Sequence, residues 1–135
     1  LAPALAFLNH TPHPRCVCFL LRDFPSPPEE YRRLLAPTAR RHDLVAALIT
    51  DRREDALPAP GLIEFTDAET GARHLVDSAA PTVRRAYTLA RERWLDTLRA
   101  EWRRAGLEHF TLATDTPYEQ DIARFLRQRA RRLRL

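Results

Sequence analysis

Six consecutive apolar residues at positions 16–21 constrain the fold of this chain more than any other stretch. A half-buried strand would alternate apolar and polar residues, whereas a short unbroken apolar run predicts a strand buried on both faces. Arg22 and Asp23 end the run, and Pro25 follows as a turn signal. Sheets of such strands bind ligands beyond the carboxyl ends of the strands, so Asp23 is expected at that edge.

The rest of the chain alternates between helix-like and strand-like stretches. The predicted elements are helices over residues 1–9, 27–40, 81–105 and from 117 onward, and strands over residues 16–21, 43–50 and 109–113. The residues expected to face the core are Tyr31, Leu34 and Leu35, a stripe from Val83 to Trp102, and Ile122, Phe125 and Leu126. This order predicts an α/β fold, with a parallel Rossmann-like sheet and helices on both of its faces.

Local signals also predict where some elements begin and how they connect. A capping box at residues 26–29, with Ser26 as N-cap, predicts that the second helix begins at Pro27. Residues 62–66 and 72–76 alternate in polarity around a glycine-containing turn, which predicts a β-hairpin. Its antiparallel pairing does not fit a βαβ repeat, so residues 62–76 are interpreted as an insertion. The whole chain, residues 1–135, is interpreted as a single domain that contains this insertion and in which residues 1–15 are the end of a preceding helix and a linker.

Composition narrows the class of protein. A chain of 135 residues with 44% hydrophobic and 30% charged residues is typical of one globular domain. All 22 basic residues are arginine, which we interpret as composition bias, and the net charge of +4 permits an anionic partner without requiring one. Two cysteines do not make a disulfide framework, so a reducing cytoplasmic setting is expected. The absence of a glycine-rich phosphate loop argues against a nucleotide cofactor.

Each predicted strand is followed closely by an aspartate: Asp23, Asp51 and Asp115. Parallel strands would place all three carboxylates at one edge of the sheet, and clustered oxygen ligands suit Mg²⁺ or Ca²⁺. The alternative interpretation is that aspartate after a strand caps a turn or the next helix. Asp23 is the best functional candidate, and the cation of Arg22 beside it could replace a metal or pair with Asp23.

Two further patterns could carry chemistry. His10, His13, Cys16 and Cys18 are all potential zinc ligands, although cysteines inside an apolar run more often act as small core residues. The arginine-rich end, residues 124–134, could contact phosphates of nucleic acid or lipid. A solvated helix end favoured by the helix dipole is the alternative, and no aromatic residues interleave there to stack bases.

Several short motifs in order resemble the C-terminal half of the family known as domain of unknown function 58. The motifs are residues 17–24 (VCFLLRDF), 39–46 (ARRHDLVA), 50–58 (TDRREDALP), Gly61, 67–71 (DAETG) and 75–77 (LVD). This family comprises bacterial proteins with a von Willebrand factor A-like domain, often encoded beside MoxR-type AAA+ ATPases. The resemblance covers the chain from Leu1 to about Arg132.

The resemblance implies a partial von Willebrand A-like sheet and a degenerate metal-ion-dependent adhesion site. That site draws on three loops, of which Asp23 matches the aspartate of the third. The Asp-x-Ser-x-Ser loop does not occur here, and Arg22 stands where the family has a small residue. The resemblance also implies that the first three strands of the domain are absent, which would leave the strand at residues 16–21 with an unpaired edge that favours self-association.

These observations lead to one functional expectation and two alternatives. The first is a non-enzymatic protein-interaction module that binds a MoxR-type ATPase through the edge carrying Arg22, Asp23, Asp51 and Asp115. The second is a Mg²⁺-dependent phosphoryl-transfer or hydrolytic enzyme that uses the three aspartates. The third is anion or nucleic-acid binding through the arginine-rich helix, although no nucleic-acid partner is expected. Membrane contact is expected only through other parts of a longer protein.

Overall fold

The computed structural model describes residues 1–12, 14–67 and 70–132. Its helices are α1 (Ala2–His10), α2 (Arg32–Arg41), α3 (Pro81–Ala105) and α4 (Tyr118–Arg132). Its strands are β1 (Val17–Arg22), β2 (Asp43–Thr50), β3 (Leu62–Thr66), β4 (Arg73–Asp77) and β5 (Glu108–Ala113). The chain forms two compact units, the first from Leu1–Asp51 and the chain from Asp96 onward, and the second from Arg52–Leu95.

The first unit contains a three-stranded parallel sheet in the order β1-β2-β5, flanked by helices. Val17 lies opposite Asp43 in the β1–β2 pair, and Val45 lies opposite Glu108 in the β2–β5 pair. This confirms the predicted α/β class and the parallel, partial Rossmann-like sheet.

β2 is the strand that matches the expectation of burial on both faces. Its five residues from Leu44 to Leu48 are all buried, with at most 4% of each exposed. β1 does not match that expectation, because its burial alternates and Val17, Phe19 and Leu21 are exposed. The prediction that positions 16–21 are buried on both faces was therefore wrong: β1 lies at the edge of the sheet and only its other face is covered.

The second helix begins later than its capping box predicts. A short 3-10 turn covers Pro28–Glu30, and α2 starts only at Arg32 with Tyr31 as its N-cap. Ser26 does not cap it, because a residue that precedes proline is driven out of the helical region and Pro27 is extended with ψ 138°.

An aromatic cluster of Phe24, Tyr31 and Trp102 lies in the core next to the C-terminal end of β1. The ring centroids of Phe24 and Trp102 are 4.9 Å apart in an edge-to-face arrangement, and all three side chains are at most 2% exposed. Phe24 has φ +51°, a conformation that bulky residues rarely adopt. Burial of its ring against Trp102 holds the backbone in this unfavourable turn directly after Asp23.

α4 is fixed to the sheet by ion pairs near its C-terminal end. Arg129, whose side chain is 13% exposed, pairs with Asp43 at the start of β2 and with Glu108 at the start of β5, the latter at 2.7 Å. Phe125 stacks on Phe110 with centroids 4.4 Å apart. Leu126 was predicted to be buried, but 46% of it is exposed, because α4 turns Phe125 rather than Leu126 toward the sheet.

The second unit contains the hairpin and the first part of α3. β3 and β4 pair antiparallel, with Leu62 opposite Asp77, which confirms the predicted hairpin. The Ser78 hydroxyl donates to the Gly61 carbonyl at 2.6 Å and closes the open end of the hairpin. The Tyr87 hydroxyl of α3 donates to the Glu54 carbonyl at 2.8 Å. None of the described helices is long and apolar enough to cross a membrane.

Replacement of Tyr31 with phenylalanine tests the packing of the aromatic cluster. The Tyr31 hydroxyl is buried and has no hydrogen-bond partner within the described residues. An unpartnered buried hydroxyl costs about 1–3 kcal/mol of desolvation, so we expect Tyr31→Phe to leave the free energy of unfolding unchanged or to raise it.

Urea unfolding measures the change in the free energy of unfolding caused by Tyr31→Phe, with Thr38→Val as a matched control. The buried Thr38 hydroxyl donates to the Leu34 carbonyl at 2.7 Å, so its loss is expected to cost about 1 kcal/mol. A similar loss in Tyr31→Phe would contradict the packing described here.

The pH dependence of stability tests the environment of His109. Burial lowers the pKa of His109, and the positive charges of Arg99 and Arg103 lower it further. Because the unfolded chain then binds the proton more readily, stability should be lost as the pH falls below about 6.5, the ordinary value for histidine.

Thermal unfolding between about pH 7.5 and pH 5 should therefore show a smaller acid loss in His109→Gln than in the parent chain. His74→Gln, at an exposed position of β4, is the control and should match the parent. Equal acid losses in all three proteins would show that His109 titrates normally.

Candidate functional site

The parallel sheet brings the three strand-end aspartates to the same edge but not to one point. Arg22 ends β1 opposite Leu48, whereas β2 and β5 continue to the pair of Thr50 and Ala113. β1 thus ends two residues earlier than β2, a stagger of about 6–7 Å at roughly 3.3 Å per residue. Asp23 therefore lies well short of the level of the other two aspartates.

No group of three metal-ligating side chains forms at this edge within residues 1–12, 14–67 and 70–132. The Asp23 carboxylate is 60% exposed and lies 3.7 Å from the Arg22 guanidinium nitrogen Nε. Of the two roles considered for Arg22, the structure has the ion pair with Asp23. This weak, exposed pair places a positive charge where a cation would otherwise approach the carboxylate.

One face of β1 is apolar and exposed. Val17, Phe19 and Leu21 are 57%, 43% and 60% exposed, and they point to the same side because alternate residues of a strand share a face. β1 pairs only with β2 among the described strands, so the backbone on its other side is unpaired. We call Val17, Phe19, Leu21 and this unpaired backbone the β1 surface.

A second candidate site lies at the opposite end of β1. Cys16, Cys18 and His42 are the one group of three described side chains whose ligating atoms all lie within 4.8 Å of one another. The Cys16 Sγ is 3.4 Å from the Cys18 Sγ and 3.2 Å from the His42 Nδ1. Cys16 is exposed, Cys18 is half-buried and His42 is fully buried. We call these residues the Cys-His cluster.

Strand register explains how distant residues form this cluster. The Asp43 amide donates to the Cys16 carbonyl at 2.8 Å, so His42, which directly precedes β2, lies beside Cys16. Cys18 lies two residues along β1 and therefore shares the face of Cys16. The zinc ligands considered from the sequence included both cysteines but not His42. That residue could have been found only by aligning the predicted strands in parallel register.

The other two histidines of that sequence pattern do not join the cluster as described. The His10 ring nitrogen Nδ1 lies 2.7 Å from the Ala6 carbonyl at the end of α1. His13 lies outside the described residues. The thiol of Cys18 is harder to ionise than usual: burial raises its pKa to about 11, and the adjacent Cys16 adds to the shift.

Three arginines of the arginine-rich helix end form ion pairs with acidic residues. Arg129 pairs with Asp43 and Glu108, Arg132 with Glu108 at 3.1 Å, and Arg124 with Asp121 at 3.2 Å. Arg134 lies outside the described residues. These pairs reduce the positive charge that the helix end could present to a phosphate backbone, so they do not favour nucleic-acid binding.

A cleft of about 300 Å³ lies between β5 and α4 in the first unit. Its polar lining includes His109, Asp121, Arg124 and Gln128. Arg124 pairs with Asp121, and Arg132, which also lines the cleft, pairs with Glu108, so the cleft presents both signs of charge.

Comparison with known proteins identifies the family. A family model described as "Protein of unknown function DUF58" matches residues 1–97, which include the β1 surface and the Cys-His cluster. Uncharacterized protein MAV169 of Mycobacterium avium is 30% identical over 131 residues, which make up 97% of this chain and 76% of that protein. No solved structure matches the chain. The chain therefore belongs to the DUF58 family.

Proposed function

We propose that the chain is a non-enzymatic protein-binding module that contacts its partner through the β1 surface. The observation that carries this proposal is the exposure of Val17, Phe19 and Leu21 on a strand at the edge of the sheet. Proteins usually cover or charge such edges, because an exposed apolar edge pairs with other chains. An edge left apolar supports a role in binding.

The backbone of β1 supplies the second half of the contact. In a parallel pair, alternate residues of an edge strand turn their N–H and C=O groups toward the neighbour and the others turn theirs away. Because the Cys16 carbonyl accepts from the Asp43 amide, Cys16 and every second residue after it direct their backbone groups toward β2. Val17, Phe19 and Leu21 therefore direct theirs to the open side. A partner strand added there would form main-chain hydrogen bonds, while side chains on the exposed face select the partner.

The identity of the partner follows from the family resemblance rather than from geometry. We propose a MoxR-type AAA+ ATPase as the partner, and a C-terminal half of a von Willebrand A-like domain as the fold. Arg22, Asp23, Asp51 and Asp115 lie at the adjacent carboxyl edge of the sheet and would form its polar rim. Asp23 would be the surviving ligand of an incomplete adhesion site for Mg²⁺, and its pairing with Arg22 supports a degenerate rather than a working site. The reducing cytoplasm is the compartment we propose.

The substitution Leu21→Lys tests the β1 surface. Leu21 is 60% exposed, so lysine should fold in its place but would put a charge into the contact. Burial of a leucine side chain is worth about 1.5–3 kcal/mol, so the dissociation constant for a purified MoxR-type ATPase should rise about tenfold or more. Fluorescence anisotropy measures the binding, and size-exclusion chromatography with light scattering measures self-association.

Leu126→Lys is the matched control, because Leu126 is 46% exposed on α4 of the same unit and lies outside the β1 surface. It should bind as the parent does. Self-association that Leu21→Lys alone weakens would retain the β1 surface but make a second copy of the chain the partner. A monomer that binds no ATPase would contradict the proposal.

Addition of Mg²⁺ tests the role of Asp23 in the same assay. If the site is degenerate, the affinity for the ATPase should be the same with and without Mg²⁺, both in the parent chain and in Asp23→Asn. A gain in affinity with Mg²⁺ that Asp23→Asn abolishes would show that the metal site works.

A further inference from the structure

The Cys-His cluster has the donor set of a soft-metal site. Two thiols and one imidazole converge within 4.8 Å of one another. Thiolate sulfur selects Zn²⁺ and Cu⁺ among biological metals, and imidazole accompanies it in zinc sites. We propose that Cys16, Cys18 and His42 bind one thiophilic metal ion, Zn²⁺ or Cu⁺.

The spacing of the ligand atoms fits such an ion. Zinc–sulfur bonds of about 2.3 Å and zinc–nitrogen bonds of about 2.0 Å at tetrahedral angles place two sulfurs about 3.8 Å apart and sulfur and nitrogen about 3.5 Å apart. The corresponding separations here are 3.4 Å and 3.2 Å. Cys16 is exposed and Cys18 is half-buried. Small rotations of their side chains would lengthen both separations by the few tenths of an ångström that a bound ion requires.

The buried histidine is already oriented for coordination. The His42 Nε2 lies 3.4 Å from the Leu8 carbonyl oxygen, and the ring is fully buried. With the proton on Nε2 donated to that carbonyl, Nδ1 presents its lone pair to the two sulfurs. Histidines that bind metals usually hold their second nitrogen in this way, which fixes both tautomer and ring orientation.

The scaffold is rigid on the buried side and open on the other. His42 and Cys16 are joined through the first rung of the β1–β2 ladder, so their relative position is set by the sheet. Cys16 is exposed, which gives an ion access from solvent. Three protein ligands leave a fourth position for water or an external ligand, as in zinc sites that are not purely structural.

The test is metal titration of the reduced, metal-free chain. Co²⁺ serves as the probe for a zinc site, because its thiolate charge-transfer band reports sulfur ligation directly. We expect saturation at one equivalent, displacement of Co²⁺ by Zn²⁺, and slower reaction of both thiols with a thiol reagent once Zn²⁺ is bound. A parallel titration with Cu⁺ against a chromophoric chelator distinguishes the two ions.

Variants assign the binding to these residues. Cys16→Ser changes an exposed side chain and should fold normally, as circular dichroism would confirm, yet it should weaken binding by more than the 10–100-fold typical of losing an outer hydrogen bond. His42→Gln should weaken binding similarly, and His10→Gln, at an exposed histidine outside the cluster, should not. Tight binding of Cu⁺ alone would keep the site and assign it to copper. Absence of stoichiometric binding of either ion, or equal affinity in Cys16→Ser, would overturn the proposal.

Discussion

The pairing of β2 with a strand on each side is the constraint on which the first unit depends. Its residues from Leu44 to Leu48 are buried because neighbours occupy both edges and helices flank the sheet. Parallel pairing also requires a crossover between successive strands, which α2 provides between β1 and β2. One register, Val17 opposite Asp43, then decides which residues begin the sheet together and which end at its carboxyl edge.

The fold could be predicted from the sequence wherever a local signal dictates the backbone. The apolar run of β2, the long periodic helix α3 and the glycine turn of the hairpin all gave elements close to those observed. The buried faces could be predicted less well, because an apolar run does not reveal what covers it: β1 is as apolar as β2 but lies at an edge. The predicted start of α2 was wrong for a local reason: the effect of Pro28 on the residue before it outweighed the capping preference of Ser26.

The candidate sites show the same division. Strand polarity was sufficient to place Asp23, Asp51 and Asp115 at one edge. The stagger that separates Asp23 from the other two depends on register, which the sequence pattern does not encode. His42 was missed for the same reason, because it stands 26 positions from Cys16 and carries no recognisable spacing. In both cases strand register, more than residue type, decides which of the candidate side chains lie close together.

The edge position of β1 also gives this strand two populations of amide groups with different access to water. The Asp43 amide bonds to the Cys16 carbonyl, so the ladder continues through the Cys18 amide and leaves those of Phe19 and Leu21 facing outward. Amide hydrogen exchange should therefore alternate between slow and fast along a single strand. A bound strand would slow hydrogen exchange only at the outward-facing amides. Their exchange rates therefore report whether the open side of β1 is occupied.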